Sequence, residues 1–91
     1  MSRRLVVTPR AVRDLDRIRD YIAADSPRTA ERFISALRAD LDKLIPFPFM
    51  AQAVSTHPRF RRLPYGAYVI FYEVTEAAVL IRAVEHSATL K

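Results

Sequence analysis

Apolar side chains recur along this chain with two different periods, and the change of period divides it. In the first half the spacing is helical: Val12, Leu15, Ile18 and Ile22, then Ala30, Phe33, Ile34, Leu37, Leu41, Leu44 and Ile45. Thr8 before Pro9, and Ser26 before Pro27, each supply an N-cap and a first helical position where a missing N–H is tolerated. The pattern predicts two helices, the second running to about Ile45. The connection at Asp25-Ser26-Pro27 is so short that they fold back as an antiparallel hairpin. Ahead of them, residues 3–7 read as a short strand. In the second half come residues 60–63, 67–74 and 78–86, and the two long runs are rich in aromatic and β-branched side chains, which suit a pleated surface. Short connections separate these runs, one holding the sole glycine, Gly66, and they predict a three-strand meander. The expected fold is α+β: an N-terminal strand and an antiparallel two-helix hairpin packed on a small antiparallel sheet, in the order β-α-α-β-β-β.

The run 68–74 is apolar on both sides. Alternation sends Tyr68, Ile70, Tyr72 and Val74 to one face and Val69 and Phe71 to the other. A half-solvated strand alternates apolar and polar residues, and this one does so only from Glu73 onward. The helices cover one face, so the second is expected to need a cover of its own. Between helix and meander, residues 46–58 read as a loop or irregular extended stretch. Its Phe47, Phe49 and Met50 are expected first as core plugs and second as a partner surface.

A chain of 91 residues makes one domain and buries only about 60–65% of the surface its unfolded form exposes, so a partner's cover counts. Fifteen Lys and Arg against ten Asp and Glu give a net charge of +5, and thirteen of the fifteen are arginine. Such a surface favours anionic partners, nucleic acid or an acidic protein, through forked contacts with phosphate or carboxylate. No apolar run approaches the roughly 18 residues of a membrane span, and no secretory signal is visible. The absence of cysteine excludes disulfides and thiolate metal sites and agrees with a cytoplasmic location. Two isolated histidines without a third ligand argue against a metal site, and no cofactor is implied.

The residues 11–22, Ala-Val-Arg-Asp-Leu-Asp-Arg-Ile-Arg-Asp-Tyr-Ile, resemble the first-helix signature of the RelE/ParE superfamily of bacterial toxins. Asp25-Ser26-Pro27 with Ala30 and Phe33 continues the likeness, as do Arg61-Arg62-Leu63-Pro64 leading into residues 68–72 and Val84-Glu85-His86 near the end. The resemblance covers nearly the whole chain. It implies a type II toxin–antitoxin system, in which a ParD-like antitoxin binds the toxin as a hetero-oligomer and wraps it with its C-terminal segment. Two activities occur in the superfamily. The ParE-like branch poisons DNA gyrase. The RelE-type branch cuts mRNA on the ribosome, usually with an arginine on the strand after the turn, a further arginine after the last strand and a tyrosine in the tail. Here Val69 takes the first arginine's place, Ser87 and Ala88 follow His86, and no tyrosine follows Tyr72. The resemblance therefore implies the gyrase branch, without catalytic residues. A ribonuclease using Arg62, Arg82 and His86 is the alternative, and an inactive antitoxin-binding module a third.

Each candidate residue also has a plainer reading. For target binding the set is Arg59, Arg61, Arg62, Arg82 and His86. Alternation sends Arg61 and Arg62 to opposite faces, and a charged edge strand would also protect the sheet. Arg82 interrupts an apolar strand on the face assigned to Leu80 and Val84, where it must pair, for instance with Glu73, or meet a partner. His86 ends a strand, where local packing competes with a functional role. His57 is read as solvated. For antitoxin binding the set is Arg13 and Arg17, which otherwise form a solvated helix face, with Val69 and Phe71.

Overall fold

A computed structural model describes residues 3–54 and 57–89. The elements are β1 (Arg4–Val7), α1 (Pro9–Ala23), α2 (Pro27–Asp42), β2 (Gln52–Val54), β3 (His57–Tyr65), β4 (Tyr68–Val74) and β5 (Ala78–His86). A 3-10 turn follows at Ser87–Thr89. The sheet order is β1-β5-β4-β3-β2, with β1 parallel to β5 and every other pair antiparallel. The expected helix hairpin and three-strand meander are present. The sheet also gains a short strand, β2, in what the residue pattern left as irregular chain, so β3 is an inner strand and β2 forms that edge.

Both helices start where their caps demand. Thr8 and Ser26 accept from the N–H groups of Ala11 and Thr29, each with proline at the first helical position. Thr8 does more, because its hydroxyl donates to the Ile81 carbonyl at 2.7 Å and its N–H donates there at 3.1 Å. The start of α1 is thereby tied to the middle of β5. Helix α2 stops at Asp42, three residues short of the expected end, and Leu44 stays in the core from the turn that follows. Gly66 opens the two-residue β3–β4 turn with φ +57°, a conformation that any other L-residue adopts under strain.

The core lies between the helix hairpin and one sheet face. Leu15 and Ile18 of α1 and Leu37, Leu41 and Leu44 meet Ile70, Tyr72 and Val74 of β4 and Val79, Ile81 and Val84 of β5. Val12, assigned to the apolar stripe of α1, is instead 44% exposed, and Ala11 and Asp14 face inward. At 100° per residue the buried stripe through Ala11, Leu15 and Ile18 includes position 14 and leaves position 12 outside.

Strand β5 carries an irregularity that the residue pattern missed. Phe71 pairs with Ala83 and Tyr72 with Ile81, so Arg82 is left out of the register. This bulge resets the alternation. Val79 and Ile81 face the core before it and Val84 faces the core after it. Arg82 therefore does not share a face with Val84, as strict alternation implied.

Two further expectations need correction. Phe47, Phe49 and Met50 are not core plugs: they are 64%, 51% and 57% exposed. Pro48 and Ala51 are buried in their place, and the Pro48 carbonyl accepts from the Tyr72 hydroxyl at 2.8 Å. On the outer sheet face Val69, between Pro64 and Glu85 in register, is only 3% exposed, while Phe71 is half-buried. The chain's own atoms thus close over Val69, and the outer face of β4 needs less external cover than its composition implied.

Candidate functional site

A concavity of about 490 Å³ lies where α1 crosses the end of β5. Helix α1 contributes Arg10, Asp14, Arg17 and Tyr21, spaced three or four apart and so on one side of the helix. The sheet contributes Tyr68, Glu85 and His86, and Ile18 and Val84 form an apolar floor.

Asp14 organises this groove. Its carboxylate is buried, with a side-chain exposure of 3%, and one oxygen accepts from the Val84 N–H at 2.9 Å. The other accepts from Arg17 Nη2 at 2.6 Å, and Arg10 Nε lies 3.4 Å from the first. Arg10 continues to Glu85 Oε2 at 3.2 Å. A buried carboxylate with a backbone donor and two guanidinium groups has its lone pairs occupied and its charge compensated. The result bolts α1 to β5 just beyond the bulge, with two forked cations on the rim and most of each exposed.

His86 closes the far wall. Its ring meets Tyr68 edge-on at 5.3 Å, and Tyr68 is packed in turn against Phe33 at 5.6 Å. His86 Nδ1 accepts from the Ala88 N–H at 3.1 Å, so in the neutral ring the proton sits on Nε2. The groove can receive an apolar or aromatic side chain flanked by carboxylates, held by Arg10 and Arg17. Among the described residues no group of three or more His, Asp or Glu side chains is placed to hold a metal ion. No helix among them is long and apolar enough to cross a membrane.

Comparison with known proteins decides the family. The sequence model for the ParE toxin of type II toxin–antitoxin systems, parDE, matches residues 5–90. The chain belongs to the ParE toxin family. It is similar to Toxin RelE2 of Caulobacter vibrioides, with 36% identity over 86 residues that cover 94% of this chain and 97% of that one. It is also similar to Toxin RelE1 of the same organism, with 32% identity over 88 residues, 94% of this chain and 95% of the other. Among solved structures, a chromosomal ParDE TA system from P. aeruginosa shares the fold, with a TM-score of 0.78 and 22% identity over 92% of this chain and 95% of that one. The protein is thus a type II toxin of the RelE/ParE superfamily.

In this ParE-family chain the residues singled out from the sequence do not form one cluster. Arg59 and Arg82 converge on Glu73, at 3.6 and 3.9 Å. Arg62 is exposed beside Phe71 on the outer sheet face. Arg61 lies on the helix side, donating to the Ala51 carbonyl at 3.0 Å with its guanidinium 4.9 Å from the Phe49 ring centre. His86 belongs to the groove. Arg13 is exposed on α1, and Arg17 lies on the groove's rim through Asp14. Val69 has almost no free surface to offer a partner, whereas Phe71 keeps some. His57 starts β3 and meets Phe60 edge-on at 5.8 Å. Residues 55–56 and 90–91, the latter the end of the tail, lie outside the described residues. Asp14, Arg10, Tyr21 and Glu85 were missed. The signal for Asp14 was available: a carboxylate on the buried stripe of an amphipathic helix.

Proposed function

We propose that this ParE-family toxin acts by binding DNA gyrase, not by cutting RNA, and that a cognate ParD-like antitoxin holds it silent. One observation carries the reading. Attack of a 2′-OH on phosphate calls for a base, an acid and a cation gathered at one point. The position where the superfamily's ribonucleases carry an arginine is here Val69, apolar and 3% exposed. The remaining candidates are divided by the sheet: Arg62 and Arg82 on its outer side, His86 in the groove against α1. A protein that works by binding needs no such convergence, and the α1–β5 groove with its two arginine forks is a surface suited to a protein target.

Added to a gyrase supercoiling reaction, the purified protein is expected to inhibit it and to trap cleaved DNA. Absence of both would overturn the reading. The related toxins of Caulobacter vibrioides carry the RelE name, which supports a ribosome-dependent ribonuclease as the second reading. Its mark would be codon-phased mRNA 5′ ends on induction, lost in His86→Ala. Induction without any growth defect would instead identify an inactive antitoxin-binding module.

A further inference from the structure

The loop between α2 and β2 displays what most small domains hide. Phe47, Phe49 and Met50 lie within four residues of one another and are each more than half exposed. They are not loose. Phe47 N–H donates to the Lys43 carbonyl and Met50 N–H to the Phe47 carbonyl, each at 3.2 Å, while the Pro48 carbonyl is held by Tyr72. With Pro48 and Ala51 buried, the loop is pinned and its apolar side chains point outward. An exposed apolar cluster of this kind on a small domain marks a contact surface.

The charges around it narrow the occupant. The guanidinium of Arg61 lies 4.9 Å from the Phe49 ring centre and that of Arg3 5.6 Å from it. Arg10, Arg17, Arg19, Arg59 and Arg82 each have a carboxylate within 4 Å, whereas Arg3 and Arg61 belong with the other arginines that have none among the described residues. These two donate to carbonyls instead, Arg3 to Thr75 at 2.6 Å and Arg61 to Ala51 at 3.0 Å. Arg61 Nε is also buried without a hydrogen-bond partner. With Nη1 held by the Ala51 carbonyl and Nε buried, Nη2 is the nitrogen left to donate to a partner's carboxylate. The patch therefore fits a segment carrying an acidic residue beside apolar ones. A second copy of this chain would bring arginine against arginine. Nucleic acid fits less well, since two guanidinium groups already lie against Phe49 and Met50 has no ring to stack.

We infer that this loop, with Arg3 and Arg61, is a docking surface for an acidic, apolar-anchored segment of the cognate antitoxin. The inference rests on the antitoxin reading proposed above and adds where the antitoxin holds. The antitoxin suits the patch better than the target does, because an exposed apolar cluster on a chain of net charge +5 is best covered by its long-term acidic partner. The surface is also separate from the groove. Arg3 and Thr75 lie at the start of β5 and His86 at its end, about 25–30 Å along the strand.

The test uses the antitoxin encoded beside this chain, purified and titrated calorimetrically into wild type, Phe47→Ser, Phe49→Ser and Arg61→Gln. Tenfold or greater weakening is expected for Phe49→Ser, a smaller loss for Phe47→Ser, and a flatter salt dependence for Arg61→Gln. Amide exchange in residues 46–51 should slow in the wild-type complex, and both serine variants, freed of antitoxin, should inhibit the target within twofold of wild type. Wild type binding tightly while both serine variants bind within twofold of it would overturn the surface alone. So would serine variants that keep antitoxin affinity but lose target inhibition or the retention of single-stranded DNA on a filter. Failure of wild type itself to bind would remove the antitoxin reading, and this surface with it.

Discussion

Asp14 and Tyr72 each carry a buried polar bond between distant parts of the chain, and each makes a prediction. Asp14 gives its charge to two largely exposed arginines but its Oδ2 to a backbone N–H that has no water to turn to. Asp14→Ala leaves the Val84 donor unpaired, and urea unfolding should register a loss of about 1–3 kcal/mol. Asp14→Asn keeps an amide oxygen for Val84 and should lose clearly less. Equal losses would place the energy in the arginine pairs, where solvent screening makes it small. Tyr72 is wholly buried, and burial pushes its phenol above the ordinary 10.0, opposed by a hydrogen bond at Ala51 and the charge of Arg61; Tyr65 is raised too, by burial and by Asp40. A raised phenol means that above pH 10 the unfolded chain releases a proton the folded one keeps. The stabilisation is complete below pH 10 and falls as pH rises through the folded value. Alkaline unfolding of wild type should therefore steepen above pH 10. Tyr72→Phe should flatten that slope while losing about 1 kcal/mol at neutral pH with the bond to Pro48.

At the scale of elements, the two N-caps look alike in sequence and differ in consequence. Ser26 serves only its own helix, whereas Thr8 also donates to Ile81 across the β1–β5 seam. Thr8→Ala should destabilise by about 1–2 kcal/mol and Ser26→Ala by about 0.5–1, read as a difference in urea midpoint. A reversed order would mean that the strand contact contributes little. The contrast also shows what can be read in advance. The helix hairpin and the meander follow from period and caps, because those depend on neighbouring residues. The arrangement of β1 beside β5 depends on residues about 75 apart, and no local pattern announces it. The bulge at Arg82 is likewise invisible to strict alternation, so Val84 was assigned to the wrong face. The groove suffered the same way. His86 and Arg17 could be picked out singly, but only Asp14, reaching 70 positions to Val84, brings them together. The exposed loop failed for another reason. Its apolar composition suggested burial, and nothing local says that Tyr72 claims the Pro48 carbonyl and turns Phe47 and Phe49 outward.

For the whole molecule, size and charge set how much the fold can lose. At about 0.05–0.15 kcal/mol per residue, a domain of 91 residues has a stability of about 5–14 kcal/mol. Leu37 is 1% exposed between the hairpin and the sheet. Leu37→Ala removes buried methyl groups and leaves a cavity, a loss of about 2–5 kcal/mol that takes a large share of that margin. A ligand that binds only the folded form restores stability by mass action, about 4 kcal/mol at a thousandfold excess over its Kd. The purified variant alone should therefore melt well below wild type, by roughly 10 °C or more for a chain of this length. Titrating in antitoxin should raise its midpoint progressively and by a similar amount to that seen for wild type. Phe49→Ser combined with Leu37→Ala should recover less at the same antitoxin concentration, because loss of the exposed Phe49 ring raises the antitoxin's Kd and so shrinks the stabilisation that binding supplies. Full recovery in that double variant would mean that the antitoxin grips this domain somewhere other than the loop.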